Sequence, residues 1–196
     1  DGRLCVADSG SGRLLLVSAM GEPRGVVRQA EASQKLVEPR GLAVSAAVSS
    51  ERADFALRLF VADRETHRVV RLGLRPDGQE SAARIQFGPD ARLSHPQELC
   101  LGRGGTLLFV TDASHCVTML DAGTLQWLGR IGGGGGGGGG RGGGGGIVGE
   151  ACGLASPYGM CVHGDELFVS EQGAHRISVF GCPSSPSTSI PSPFFF

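Results

Sequence analysis

The sequence contains no asparagine, one tryptophan, one tyrosine and one lysine in 196 residues. Lys35 is that lysine; the other 17 of 18 basic residues are arginine, which reads as a coding bias. The formal net charge is −1, so no long-range field draws in nucleic acid or an anionic membrane. No run of apolar residues approaches the length of a membrane-spanning helix. No segment shows a capped helical period. No Cys-x-x-Cys pair occurs among Cys5, Cys100, Cys116, Cys152, Cys161 and Cys182, which disfavours a zinc ribbon or a thioredoxin-like site. Cys5, Cys100 and Cys161 lie in apolar runs and read as buried thiols acting as small hydrophobes. A Cys152–Cys182 disulfide is the alternative, and the count decides no compartment. No Gly-x-Ser-x-Gly or Ser-x-x-Lys nucleophile motif is present.

Glycine is abundant instead, at 34 residues. Much of it is concentrated in residues 132–146, which lack the Lys-Ser/Thr of a phosphate loop and read as a flexible inter-blade loop. The last segment, residues 182–196, is Ser/Pro-rich, ends in three Phe and reads as a disordered tail.

A repeat carries the main signal. It runs Leu4-Cys5-Val6-Ala7-Asp8, Leu59-Phe60-Val61-Ala62-Asp63, Leu108-Phe109-Val110-Thr111-Asp112 and Leu167-Phe168-Val169-Ser170-Glu171. A short polar turn and a second apolar run follow each acid, the pattern of a β-hairpin. Three copies are preceded by a Leu-x-x-Pro phrase: Leu36-Val37-Glu38-Pro39, Leu93-Ser94-His95-Pro96 and Leu154-Ala155-Ser156-Pro157. Proline sits just ahead of a strand there, where its missing N–H costs no ladder bond. Fourth strands are expected at residues 25–28, 83–87 and 125–131. The expected strand counts per unit are three, four, four and three.

These phrases resemble NHL repeats over residues 1–181, most closely in the copies at 36–72 and 154–180. The 93–120 copy departs from the pattern, with Glu98 in place of Gly and Cys116 in place of Arg. The resemblance implies an all-β fold, a β-propeller of four-stranded antiparallel blades around a channel, usually six. About four blades are accounted for here, as a fragment or open arc of a larger propeller. Unpaired blade edges are adhesive, so edge-to-edge self-association is expected.

The acids Asp8, Asp63, Asp112 and Glu171 recur once per unit, as a fold determinant does. Each is expected to accept backbone N–H bonds at its turn. Arg13, Arg68 and Arg176 follow three of them by five residues and are expected to pair across the turn. His67, His115 and His175 share the turn. Repeat-related positions spread around a ring, so these histidines read as turn residues and no metal is assigned.

Ligands of propellers sit where loops enter the inner strands. By the repeat, Arg40, Gln97 and Tyr158 occupy that place, with Glu98 beside them. Related peptide-amidating lyases put zinc-binding histidines there, and this chain has none at those positions. Lactonase-like propellers hold calcium with carboxylates and amides, and only Glu38, Gln97 and Glu98 lie nearby. The leading expectation is a non-catalytic scaffold with no cofactor, binding a protein or peptide at the channel mouth. The alternatives are a metal-dependent propeller hydrolase or lyase, and an RNA-binding propeller using Arg24, Arg28, Arg40, Arg92 and Arg103. An RNA contact through Arg141 in the glycine run is a weaker variant.

Overall fold

A computed structural model describes residues 4–27, 35–46, 57–75, 85–87, 93–132, 153–182 and 194–195. These residues form strands, single 3-10 turns and connecting loops. No described helix is long and apolar enough to cross a membrane. The glycine run from 133 onward, Cys152 and most of the Ser/Pro tail lie outside the described residues.

The chain divides into two compact units, Asp1–Pro96 and Gln97–Phe196. In the first, β1 (Leu4–Asp8), β2 (Arg13–Val17) and β3 (Pro23–Val26) form a three-stranded sheet in chain order. β4 (Pro39–Ala46), β5 (Leu57–Asp63), β6 (Arg68–Leu74) and β7 (Ile85–Phe87) form a four-stranded one. In the second unit, β8 (Leu99–Leu101), β9 (Leu107–Thr111), β10 (Val117–Asp121) and β11 (Trp127–Ile131) make one sheet. β12 (Pro157–His163), β13 (Glu166–Glu171), β14 (Arg176–Gly181) and β15 (Phe194–Phe195) make the other. The pairings are antiparallel meanders, each strand beside its neighbour in sequence.

The recurring apolar phrase forms β1, β5, β9 and β13. Its β-branched and aromatic residues suit a pleated surface buried on both faces. Phe60, Val61, Leu108, Phe109 and Val110 are all fully buried. The acid ends the strand, and a tight turn follows that needs one residue in the left-handed region. Gly12, His67, His115 and His175 fill that position, with φ of 61°, 53°, 60° and 52°. Glycine takes such a φ without strain, and histidine is among the residues that visit it. Pro39 lies opposite Asp63 and Pro157 opposite Glu171, each followed by the same register shift. The proline-led strand therefore starts level with the acid.

Each unit has its own apolar core between its two sheets. Leu14 and Leu16 of β2 meet Leu59, Val61, Val70 and Leu72 of the neighbouring sheet. Phe109, Val117 and Met119 likewise meet Leu167, Val169 and Phe180. Leu36 and Leu154 of the Leu-x-x-Pro phrases are buried in these cores.

Two expectations change. The last sheet has four strands rather than three, because Phe194 and Phe195 pair with Val179 and Ser178. Cys161 is exposed, whereas Cys5 and Cys100 are partly buried. On β12 Met160 and Val162 pack against the core, so alternation turns Cys161 away from it. The fourth strands at β3, β7 and β11 fall near the expected positions, β3 starting two residues early.

Candidate functional site

The turn acids do different amounts of structural work. The Asp63 side chain is fully buried. It accepts the backbone N–H groups of Val37 (3.0 Å) and Glu38 (2.9 Å), tying the incoming loop to the end of β5. Thr66 Oγ1 donates to it at 2.6 Å, and Arg68 Nε and Nη2 at 3.1 and 2.9 Å. Glu171 repeats the arrangement. It accepts Ala155 N–H at 2.6 Å, Arg176 Nε at 2.8 Å and the Ser178 hydroxyl. Burial alone pushes the Glu171 carboxyl up, but the bonds from Arg176, Ser178 and Ala155 outweigh it and hold the group below the usual carboxylate range.

Asp8 and Asp112 lie at the matching turns with other partners. Asp8 pairs with Arg13 Nε at 2.7 Å at the surface. The hydrogen bonds of Arg13 and then Ser11 hold its carboxyl below its ordinary value. Asp112 is buried and accepts from Ser114 N–H at 2.9 Å, from the Ser114 hydroxyl and, weakly, from Cys116 Sγ at 3.8 Å. Cys116 stands where the other copies carry Arg.

The residues expected at the inner-strand loops fall in both units. In the first, the Arg40 guanidinium is held by the Glu38 carboxylate, with Nε at 2.9 Å. Arg64 Nη1 meets the other Glu38 oxygen at 2.9 Å. Those two arginines, Arg40 first, hold the Glu38 carboxyl below its ordinary value. In the second unit, Gln97 and Glu98 exchange backbone bonds with Thr111: Gln97 N–H donates to its carbonyl at 2.8 Å, and Thr111 N–H to Glu98 O at 3.2 Å. The Thr111 hydroxyl accepts Glu98 N–H at 3.2 Å and donates to Tyr158 O at 3.0 Å. One hydroxyl therefore joins the Glu98 and Tyr158 backbones. Burial pushes the half-buried Glu98 carboxyl up, against a smaller opposing effect of Leu99 N–H. The sequence did carry a signal for Thr111, which breaks the repeated Leu-Phe-Val-Ala-Asp phrase.

Tyr158 is 49% exposed. Its side chain borders an open cleft of about 840 Å³, with Glu171, Gln172, His175, Arg176 and Ile177 on the other walls. The cleft combines an aromatic and an aliphatic surface with an ion pair between buried Glu171 and exposed Arg176. Among the described residues, no group of three or more His, Cys, Asp or Glu side chains is placed to hold a metal ion.

No family model matches the sequence, and no curated protein matches it. Solved structures do match. The chain is similar to a virginiamycin B lyase from Staphylococcus aureus crystallised with quinupristin, at 14% identity and a TM-score of 0.60. That match covers 100% of this chain and 53% of the lyase. A nidogen/laminin complex matches at 15% identity and a TM-score of 0.59, over 98% of this chain and 63% of that one. A putative 6-phosphogluconolactonase from Bacteroides uniformis matches at 16% identity and 0.53, over 97% and 53%. At these identities the likeness establishes the fold alone. The protein has a β-propeller fold of antiparallel three- and four-stranded blades. The chain spans between half and two thirds of the length of these structures.

Proposed function

We propose that the chain is part of an NHL-type propeller that serves as a non-catalytic binding scaffold for a protein or peptide. The observation that carries this reading is the half-exposed Tyr158 beside a cleft whose carboxylate and guanidinium already neutralise each other. Tyrosine contributes a rigid contact surface with little rotamer entropy to lose, as binding anchors do. Arg40, tethered by Glu38, is an ordered cation of the same kind on the first unit. Gln97 and Glu98 shape the loop that shares Thr111 with Tyr158. The solved propellers of similar fold include both enzymes and a protein complex, so fold does not choose between the classes.

The test is peptide-library panning on the wild-type protein and on Tyr158→Ala and Arg40→Ala variants with matching circular dichroism. Sequences enriched on the wild type should lose at least tenfold in enrichment on one variant or both. Equal enrichment on all three proteins would overturn the reading.

A further inference from the structure

Two of the hairpin turns are closed by an imidazole that acts as an acceptor. At the second turn, His67 Nδ1 accepts the backbone N–H of His95 at 3.1 Å, and the two rings meet edge to face with centroids 4.1 Å apart. At the third, His115 Nδ1 accepts the backbone N–H of Ser156 at 3.3 Å. His95 and Ser156 each immediately precede a proline, and each has positive φ, 49° and 53°. At the equivalent place ahead of β4, the N–H of Glu38 goes instead to the Asp63 carboxylate at 2.9 Å. The first turn carries Gly12 where the others carry histidine, and so offers no imidazole.

A neutral imidazole donates from one ring nitrogen and accepts at the other. Both rings here accept at Nδ1, so each carries its single proton on Nε2. A second proton, on Nδ1, turns the acceptor into a donor and sets it against the backbone N–H. Histidine is the side chain whose ordinary titration falls between about pH 5 and 8. The charged groups around the second turn bond to one another: Asp63 pairs with Arg68, and Arg64 with Glu38 and Glu65. On the segment against His67, the titratable residue is His95, whose ring a charged His67 would meet directly. At the third turn Asp112 accepts from Ser114, and burial pushes the Cys116 thiol up, so it stays uncharged. The segment against His115, residues 154–157, has no titratable side chain, and Glu171, which accepts the Ala155 N–H, pairs with Arg176.

We propose that His67 and His115 are proton-operated latches. Each holds the residue before proline to its turn while Nδ1 is unprotonated, and each releases it as pH falls through the histidine range. The latching bond exists only with the neutral ring, whereas the unfolded chain takes up the proton freely. The latches therefore contribute stability above that range and lose it below. The range lies above that of the carboxylates, so the loss is separate in pH from any change at Glu171. Glu38, held by a carboxylate, is a built-in reference that does not respond. The proposal does not depend on the binding reading above.

The test is residue-resolved amide hydrogen exchange on the whole chain at about pH 7.5 and about pH 5.5, corrected for the intrinsic pH dependence of exchange. Protection at His95 and Ser156 should fall about tenfold at the lower pH, the scale of one hydrogen bond, while Glu38 keeps its protection. His67→Gly retains the positive φ, as Gly12 does at the first turn, and removes the acceptor. It should leave His95 weakly protected at both pH values and Ser156 still responsive; His115→Gly should do the reverse. Nitrogen chemical shifts of the wild-type imidazoles need no variant: Nδ1 of both rings should gain its proton as the protection falls. Unchanged protection at His95 and Ser156, an equal fall at Glu38, or protection lost without protonation at Nδ1 overturns the proposal. So does a pH response at His95 or Ser156 that survives in the glycine variant of its own turn.

Discussion

The turns at Asp63 and Asp112 occupy the same place in the repeat and hold their loops by different means. Asp63 clamps the incoming loop itself, through the N–H groups of Val37 and Glu38, and Arg68 neutralises it. At Asp112 the arginine position is Cys116, and the described bonds of the carboxylate run to Ser114 and Cys116 of its own turn. The preceding residue, Thr111, bonds through its backbone to Gln97 and Glu98, beyond the proline. The comparison teaches that one repeat position, buried in both copies, is served by loop N–H groups and an arginine in one copy and by a serine and a cysteine of its own turn in the other. A hydroxyl just before the acid, Thr111 here and Ser170 in the fourth phrase, accepts an N–H from beyond the proline whether or not the acid also binds its loop.

The largest effect should separate those two turns. Asp63→Ala leaves two loop N–H groups and a largely buried guanidinium without their carboxylate. It should cost about 3–5 kcal/mol in denaturant unfolding. Asp112→Ala removes bonds within one short turn and should cost about 1–2 kcal/mol. Equal losses would dissolve the distinction.

The next effect is a pH dependence at Glu171. Its carboxyl is held below the usual range when folded, so the folded state binds its proton less readily than the unfolded state. The resulting stabilisation is fully present above the unfolded carboxylate value. It declines as pH falls through that value towards the lowered one. Arg176→Ala removes the leading hydrogen bond that lowers the value, and should flatten the acid limb of the denaturation midpoint plotted against pH. An unchanged limb would place the pH dependence elsewhere.

The smallest effect belongs to the first turn. Arg13 and Asp8 pair at the surface, with side chains 48% and 26% exposed. Solvent and salt screen such a pair. Arg13→Ala should leave the unfolding midpoint within experimental error. A loss comparable to that of Arg68→Ala would show that this turn is clamped as firmly as the second.

Much of the architecture was legible in the sequence, because the β-hairpin is a local object. The acid, the turn and the flanking alternation lie within about fifteen residues, and alternation reports which side chains share a face. The short strand Phe194–Phe195 was not legible, since a two-residue strand has no period of its own and its partners, Val179 and Ser178, lie beyond the reach of a tight hairpin turn. Cys161 reads as apolar by its neighbours, yet its exposure depends on what covers the other side of β12. The same limit applies to the candidate site. Tyr158 and Glu98 were chosen by their place after proline, but Thr111, which links their backbones, sits in a different phrase. The histidines were read as turn residues. Their hydrogen bonds to the residue before proline required knowing which loop lands on which turn.

The turn contacts also couple neighbouring sheets within each unit. The segments 36–39 and 154–157 each touch two turns, that of the sheet before them and that of the sheet they open. The last turn is tied in this way as well: Gln172 and Gly173 N–H donate to Ser156 O and Ala155 O at 3.1 and 3.0 Å. One short segment therefore serves as a shared hinge pin for two hairpins, and amide hydrogen exchange at its N–H groups reports on both at once.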